Sequence, residues 1–248
     1  MPSHKSTKTG KTVKQATGVQ KTAKKPKRTN PGRKVKQIRL ISAPVVACAL
    51  LKKIKKRPDS ALLKAHLEAI DLHRQKFEKR LKDAKAKVAK GDVSEQHAIP
   101  SYKAKVTEAK GEYEATCHMI ENYVKANGGK DYRLLWSFSA GVGVDQLWAA
   151  GDPPTSYVIV EAKGPGATLS TNAAKGDQMS KMWVENSLES VKNSPTASAA
   201  DKEHAKSMLK AMKVGPPPEV YGRVIEALPG GGAKEVGCPD KGIYHKTK

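Results

Sequence analysis

The positive charge of this chain is gathered at one end, and that decides which part of it can fold. Residues 1–58 contain 18 Lys and Arg and no Asp or Glu, whereas the other 190 residues hold 28 basic and 24 acidic side chains; of the net charge of +22 only +4 belongs to them. Unbalanced lysines repel one another on compaction. Up to about residue 37 they are mixed with Thr, Ser, Gly and Pro without a hydrophobic period, so burial cannot offset the entropy of ordering. Residues 1–58 are therefore expected to be a basic, largely disordered arm. Such an arm attracts polyanions by releasing their condensed counterions, which puts nucleic acid first among partners, then an acidic membrane surface or an acidic protein. The cluster Lys24-Lys25-Pro26-Lys27-Arg28 has the composition of a nuclear localisation signal, but any lysine-rich arm produces such clusters.

Targeting and redox signals are sparse. The apolar run at residues 41–51 has 11 residues, against about 20 for a membrane-spanning helix, so no span is expected. It does not resemble a signal peptide either, because some forty residues of basic sequence precede it and Lys52, Lys53, Lys55 and Lys56 follow. Cys48, Cys117 and Cys238 form no CxxC pair, which fits a reducing compartment. Cys117 and His118 read as helix-packing residues, not zinc ligands.

Beyond residue 59 the pattern turns helical. Leu62, Leu63, Leu67, Ile70, Phe77 and Leu81 recur at three- and four-residue spacings, with Asp59 or Ser60 as the cap, and predict a helix to about Lys90. A second helix is expected from Ile99 or Ser101 to Ala126, closed by Asn127-Gly128-Gly129. Together they suggest a charged helical hairpin over residues 59–107, whose second arm continues into a domain at 108–248.

After Asp131 the period changes to two. Residues 134–144 read as extended, residues 150–154 as a tight turn, and Tyr157 to Lys163 as the clearest strand of the chain, stopped by Gly164-Pro165-Gly166. Helices are expected at 177–193 and 200–212, and a late strand at 220–228.

Side chains two apart on a strand share a face, so Glu161 and Lys163 project together at the strand end. Asp145 lies 16 residues earlier, before a tight turn, where an antiparallel neighbour would bring its carboxylate alongside Glu161. Two carboxylates and a backbone carbonyl such as that of Ala162 supply the hard oxygens that Mg²⁺ or Mn²⁺ takes. Lys163 could then orient a water or stabilise charge building on a phosphoryl group. By spacing alone, an ExK pair on a strand reads more readily as a solvated edge-strand ion pair than as a catalytic pair.

The flanking residues carry more. The series GVDQLW, a turn, YVIVEAKGPGATL and GDQMSKMW, spanning Gly143 to Trp183, resembles the nuclease tips of bacterial polymorphic toxins of the contact-dependent inhibition, Rhs and type VI secretion kinds, within the PD-(D/E)xK superfamily. The resemblance covers roughly residues 108–228. It implies an α/β fold with a restriction-endonuclease-like mixed sheet flanked by helices. It makes Asp145 and Glu161 the metal carboxylates, Lys163 the catalytic lysine and Gln178 a glutamine beside the site at a helix start, with Ser180 and Trp183 packing or orienting substrate. A helix glutamate is also implied, for which Glu114 and Glu112 in KGEYEA are the candidates and Glu121 the third. The cofactor would be a divalent metal, Mg²⁺ first and Mn²⁺ or Zn²⁺ after it.

The partners so implied are nucleic acid, DNA before RNA, a cognate immunity protein, and a secretion adaptor or chaperone. The protein would be made in a bacterial cytoplasm, secreted, and act in the cytoplasm of a target cell. Residues 1–100 carry no resemblance, and Met1 suggests either a stand-alone effector in place of the tip of a longer protein, or an arm and helices that serve adaptor binding. Two other readings stay open: a resolvase- or restriction-like endonuclease that is no toxin, and a non-catalytic nucleic-acid-binding protein. The near-neutral charge beyond residue 59 weighs against the last, since Asp145 and Glu161 repel phosphate unless a cation reverses the local sign.

Overall fold

The computed structural model describes residues 54–55, 57–124, 131–137, 143–171, 176–215 and 217–246, all within the unit Ser42–Lys248. The expected disordered arm, the apolar run and the Asn127-Gly128-Gly129 helix end lie outside the described residues, apart from Ile54, Lys55, Arg57 and Pro58 of the arm.

The two expected helices are α1 (Ser60–Ala89) and α2 (Ile99–Asn122). Leu63, Leu67 and Ile70 of α1 are buried, as their spacing requires. Asp59 stands at the cap position but makes no capping bond. Its carboxylate instead accepts from Arg57 Nε (2.8 Å) and Nη2 (3.0 Å) and from the backbone N–H of Leu134 (2.8 Å), while Arg57 Nη2 also donates to the Tyr132 carbonyl (2.6 Å). The pair ties the start of α1 to the outer edge of a strand, a stronger use of a charged group than one cap bond.

That strand is β1 (Tyr132–Ser137), followed by β2 (Gln146–Gly151) and β3 (Pro154–Lys163). Helices α3 (Lys181–Asn193) and α4 (Ala199–Val214) lead to β4 (Glu219–Ala227), and β5 (Ala233–Val236) and β6 (Ile243–His245) complete the sheet. The order is β1-β2-β3-β4-β5, with β6 also on β4. Only β3 and β4 run parallel, and the α3–α4 crossover supplies the long connection that a parallel pair needs. Beyond residue 130 two strands, β5 and β6, were not expected. At four and three residues, without alternation, they offer too little pattern to be read.

Alternation on the strands divides the core. Leu147, Ala149, Tyr157, Ile159 and Val224 pack with Trp183, Val184, Leu188 and Met208 of α3 and α4. Trp148, Ala150, Val158, Val160 and Ile225 pack with Ile54, Leu63, Leu67, Ala115 and Met119 on the opposite face. The described residues thus form a mixed α/β arrangement of six strands between two helix pairs. Helix α2 passes residue 107 without a break, and α1 shares its core with the sheet.

Glycines set how near α2 comes to the end of β3. A Cβ on Gly111 would lie 2.7 Å from the Lys163 carbonyl carbon and 2.7 Å from the Gly164 nitrogen, and one on Gly164 would lie 2.6 Å from the Thr107 carbonyl oxygen. These neighbours are backbone and cannot swing aside. At an ordinary helix position Gly→Ala gains about 1 kcal/mol, but forced overpacking costs typically about 1–3 kcal/mol. Gly111→Ala is therefore expected to lower the urea midpoint without changing the slope of the transition. A variant as stable as the parent would show that the contact is looser than described.

Candidate active site

The β2–β3 ladder pairs Gln146 with Val160 and Leu147 with Ile159. Extended by one residue, the same register sets Asp145 opposite Glu161. The backbone N–H of Ala162 donates to Asp145 Oδ2 (2.8 Å), which fixes that carboxylate against β3. Glu161 and Lys163 project on the same face, and Lys163 Nζ lies 3.0 Å from Glu161 Oε1. Gln178 joins them. Its Nε2 donates to Glu161 Oε1 (2.5 Å), and its Oε1 accepts from Lys163 Nζ (2.8 Å) and from the backbone N–H of Ser170 (3.0 Å).

Gln178 does not sit on a helix. The helix expected from residue 177 begins at Lys181, because Ser180 is its cap and accepts from the Trp183 N–H (3.2 Å). Between them Met179 is buried in the left-handed region (φ 64°), and its carbonyl accepts the Tyr244 hydroxyl (2.7 Å). That hydrogen bond holds the bend that aims Gln178 back at β3. Trp183 is a core residue.

The helix glutamates separate by their positions on α2. Glu112 is buried, and its Oε2 accepts from Gln146 Nε2 (3.2 Å). Burial first, then the charges of Asp145 and Glu161, hold its carboxyl well above the ordinary range. Glu114, two residues on and so turned to another side of the helix, lies toward the backbone of Gly232 at the β4–β5 turn. Glu121 is exposed about two and a half turns beyond Glu112. The structure thus brings Glu112 to Asp145 and Glu161, and leaves Glu114 and Glu121 away from them. Sequence reasoning missed Gln146, which alternation turns to the α2 side, and Glu108, whose charge also raises Glu112 and Asp145. Glu108 lies four residues before Glu112, one helical turn, and that spacing was the available signal.

Asp145 and Glu161 approach within hydrogen-bonding reach of each other. Burial pushes Asp145 up to about 6, against the opposing Ala162 N–H and Lys163 charge. Burial and then the Asp145 charge push Glu161 up to about 8. Glu161 Oε2 is buried without a hydrogen-bond partner. Two carboxylates in such contact repel unless a proton or a cation lies between them. Among the described residues no three His, Cys, Asp or Glu side chains are grouped to hold a metal. A two-carboxylate set still suits Mg²⁺, which is ordinarily held through one or two carboxylates and keeps several waters. The orphaned Glu161 oxygen, on a carboxyl set opposite Asp145, is the feature that fits a divalent cation.

Comparison of the chain with protein-family models, with curated proteins and with solved structures found no match.

Carboxyls raised in the folded state favour folding while protonated. That contribution is full below the ordinary value of 4.5 and is lost as pH rises through about 8 for Glu161. In EDTA the melting temperature is therefore expected to fall between these pH values, and Glu161→Gln should flatten the decline. Thermal melts across this range check it; equal slopes for both proteins would remove the buried carboxylate as the cause.

Proposed function

We propose that this protein is a divalent-metal-dependent nuclease of the PD-(D/E)xK type with a restriction-endonuclease-like core, a toxin that hydrolyses phosphodiester bonds of DNA in competitor cells. The contact of the Asp145 and Glu161 carboxyls, with one oxygen orphaned in the interior, carries the reading. Phosphodiester cleavage needs a site that tolerates a polyanion, supplies a water and stabilises charge on phosphorus. Asp145 and Glu161 would hold Mg²⁺ or Mn²⁺, with Glu112 beside them. When bound, such an ion lowers the pKa of a water and offsets phosphate charge.

The chain's own groups do the rest. Lys163, tethered by Gln178 and Glu161, directs its ammonium at the reacting phosphate or at the attacking water. The water oxygen bonds to phosphorus as the phosphorus–oxygen bond to the leaving strand breaks, and the departing oxygen takes up a proton. Gln178 divides the Lys163 ammonium between itself and Glu161 by accepting one of its N–H hydrogen bonds. The basic arm adds affinity for the substrate without reading its sequence.

The toxin assignment follows from the GVDQLW, YVIVEAKGPGATL and GDQMSKMW segments. It brings with it an immunity protein that covers the site mouth with an acidic surface, and a secretion adaptor. No helix among the described residues is long and apolar enough to cross a membrane.

Incubated with plasmid, linear DNA and total RNA, the full-length protein is expected to cut DNA in Mg²⁺ or Mn²⁺ and to stop in EDTA. Asp145→Ala and Lys163→Ala should each lose on the order of 10²–10³ in rate. Induced in a bacterial cytoplasm, the parent should arrest growth and Asp145→Ala should not. Intact substrates in every metal, or equal cutting by Asp145→Ala, would end the nuclease reading; growth arrest by both proteins would end the toxin mechanism.

Removal of residues 1–58 should weaken substrate binding and flatten its dependence on salt, while metal-dependent cutting stays measurable. Binding isotherms at several salt concentrations decide it. An unchanged slope would mean that the arm does not touch phosphate.

A further inference from the structure

A chain of buried polar groups runs beneath the site, and its donors and acceptors can be assigned one at a time. The Trp148 indole N–H donates to Gln146 Oε1 (3.0 Å). With the amide oxygen so engaged, Gln146 Nε2 faces α2, where it lies 3.2 Å from Glu112 Oε2, 3.2 Å from the Glu112 carbonyl oxygen and 3.0 Å from Thr116 Oγ1. The Thr116 hydroxyl donates its proton to the Glu112 carbonyl (2.8 Å). His66 Nε2, 3.0 Å from Thr116 Oγ1, must therefore be a donor. Burial lowers the His66 pKa to about 4, so the ring is neutral with its proton on Nε2. Thr116 then accepts from His66 and Gln146 and donates to Glu112, which uses all of its capacity.

Gln146, Thr116 and Trp148 are fully buried, and His66 and Glu112 nearly so. In that setting reversal of the Gln146 amide would set its N–H groups against the indole N–H and its oxygen against the Glu112 carbonyl oxygen and Thr116 Oγ1, whose one proton is already committed. Each mismatch leaves a buried group unsatisfied, at about 1–3 kcal/mol. The amide is locked.

We propose that Gln146 is a positioning residue for Glu112: its locked amide turns the carboxylate toward Asp145 and Glu161 as a hydrogen-bond acceptor, and His66 and Thr116 make helix α1 part of that support. The geometry stands by itself; an effect on cutting rests on the nuclease reading. Partners of this kind around metal-site ligands are ordinarily worth about 10- to 100-fold in metal affinity or activity.

Thr116→Val removes the hydroxyl at constant shape, Thr116→Ser keeps it, Gln146→Leu removes the amide and Trp148→Phe removes the donor that orients it together with part of a buried ring. Full-length variants are to be compared by kcat and KM on DNA, by Mn²⁺ titration without substrate, and by the ¹³C carboxyl signal of Glu112, with melting curves to verify folding. Thr116→Ser should stay within about twofold of the parent. Thr116→Val and Gln146→Leu should lose about tenfold or more in kcat and in Mn²⁺ affinity, with KM nearly constant and the Glu112 signal moved. If Gln146→Leu does not fold, Thr116→Val and Trp148→Phe decide. Folded variants with parental kcat, Mn²⁺ midpoint and Glu112 signal would overturn the proposal. Should the parent neither cut nor bind Mn²⁺, the nuclease reading fails and the Glu112 signal alone judges: displaced in Thr116→Val but not in Thr116→Ser, it upholds the positioning role, and unmoved in both, it refutes it.

Discussion

The contact of helix α2 with the last residues of β3 is the constraint on which the candidate site depends. Gly111 and Gly164 each lack the atom that would push the backbones apart, and Glu112 follows Gly111 directly. An alanine-sized spacer would shift α2, and with it the carboxylate that it carries toward Asp145 and Glu161. A glycine in mid-helix is unfavourable by about 1 kcal/mol relative to alanine. Its presence here is explained by position, since the helix must come this near for a side chain of ordinary reach to meet two others on a strand pair.

Once that distance is set, strand parity distributes the work. Asp145 and Glu161 lie across from each other on one face, together with Lys163, while Gln146 points to the other face and meets Glu112 and Thr116. The site therefore straddles the end of the sheet. One face contributes the carboxylate pair and its lysine, the other a glutamate held by buried hydrogen bonds. A slip of one residue in the β2–β3 register would exchange Asp145 for Gln146 beside Glu161. Such a slip would also turn the buried Trp148 and Leu147 to the wrong faces of the sheet, so the core opposes it.

Much of this was legible in the residues, for physical reasons. The 157–163 strand and the two long helices announce themselves by period, and the antiparallel placing of Asp145 follows from a tight turn between two extended segments. Glu112 could not be told from Glu114, because the exposed and buried sides of a lysine- and glutamate-rich helix look alike until the neighbour of each is known. Local sequence offers Asp59 or Ser60 as a cap and cannot reveal that a strand 75 residues away needs the Asp59 oxygen. The support beneath Glu112 was equally hidden. His66, Thr116 and Gln146 lie in three elements and meet only on folding.

Charge is divided along the chain in the same way that chemistry is divided across the sheet. Long-range attraction of a polyanion calls for many exposed cations, whereas a buried carboxylate pair calls for very few near it, or the pair would be neutralised without any added cation. The chain keeps most of its surplus positive charge in residues 1–58 and leaves the remainder near balance. Within the site Lys163 is the close cation, and its ammonium donates to Gln178 as well as to Glu161. Glu161 accordingly stays high in pKa despite a lysine at 3.0 Å, because burial and Asp145 outweigh it. A site more richly supplied with lysines would bind phosphate more tightly in the ground state. It would lose the uncompensated negative charge on which the proposed binding of a divalent cation rests.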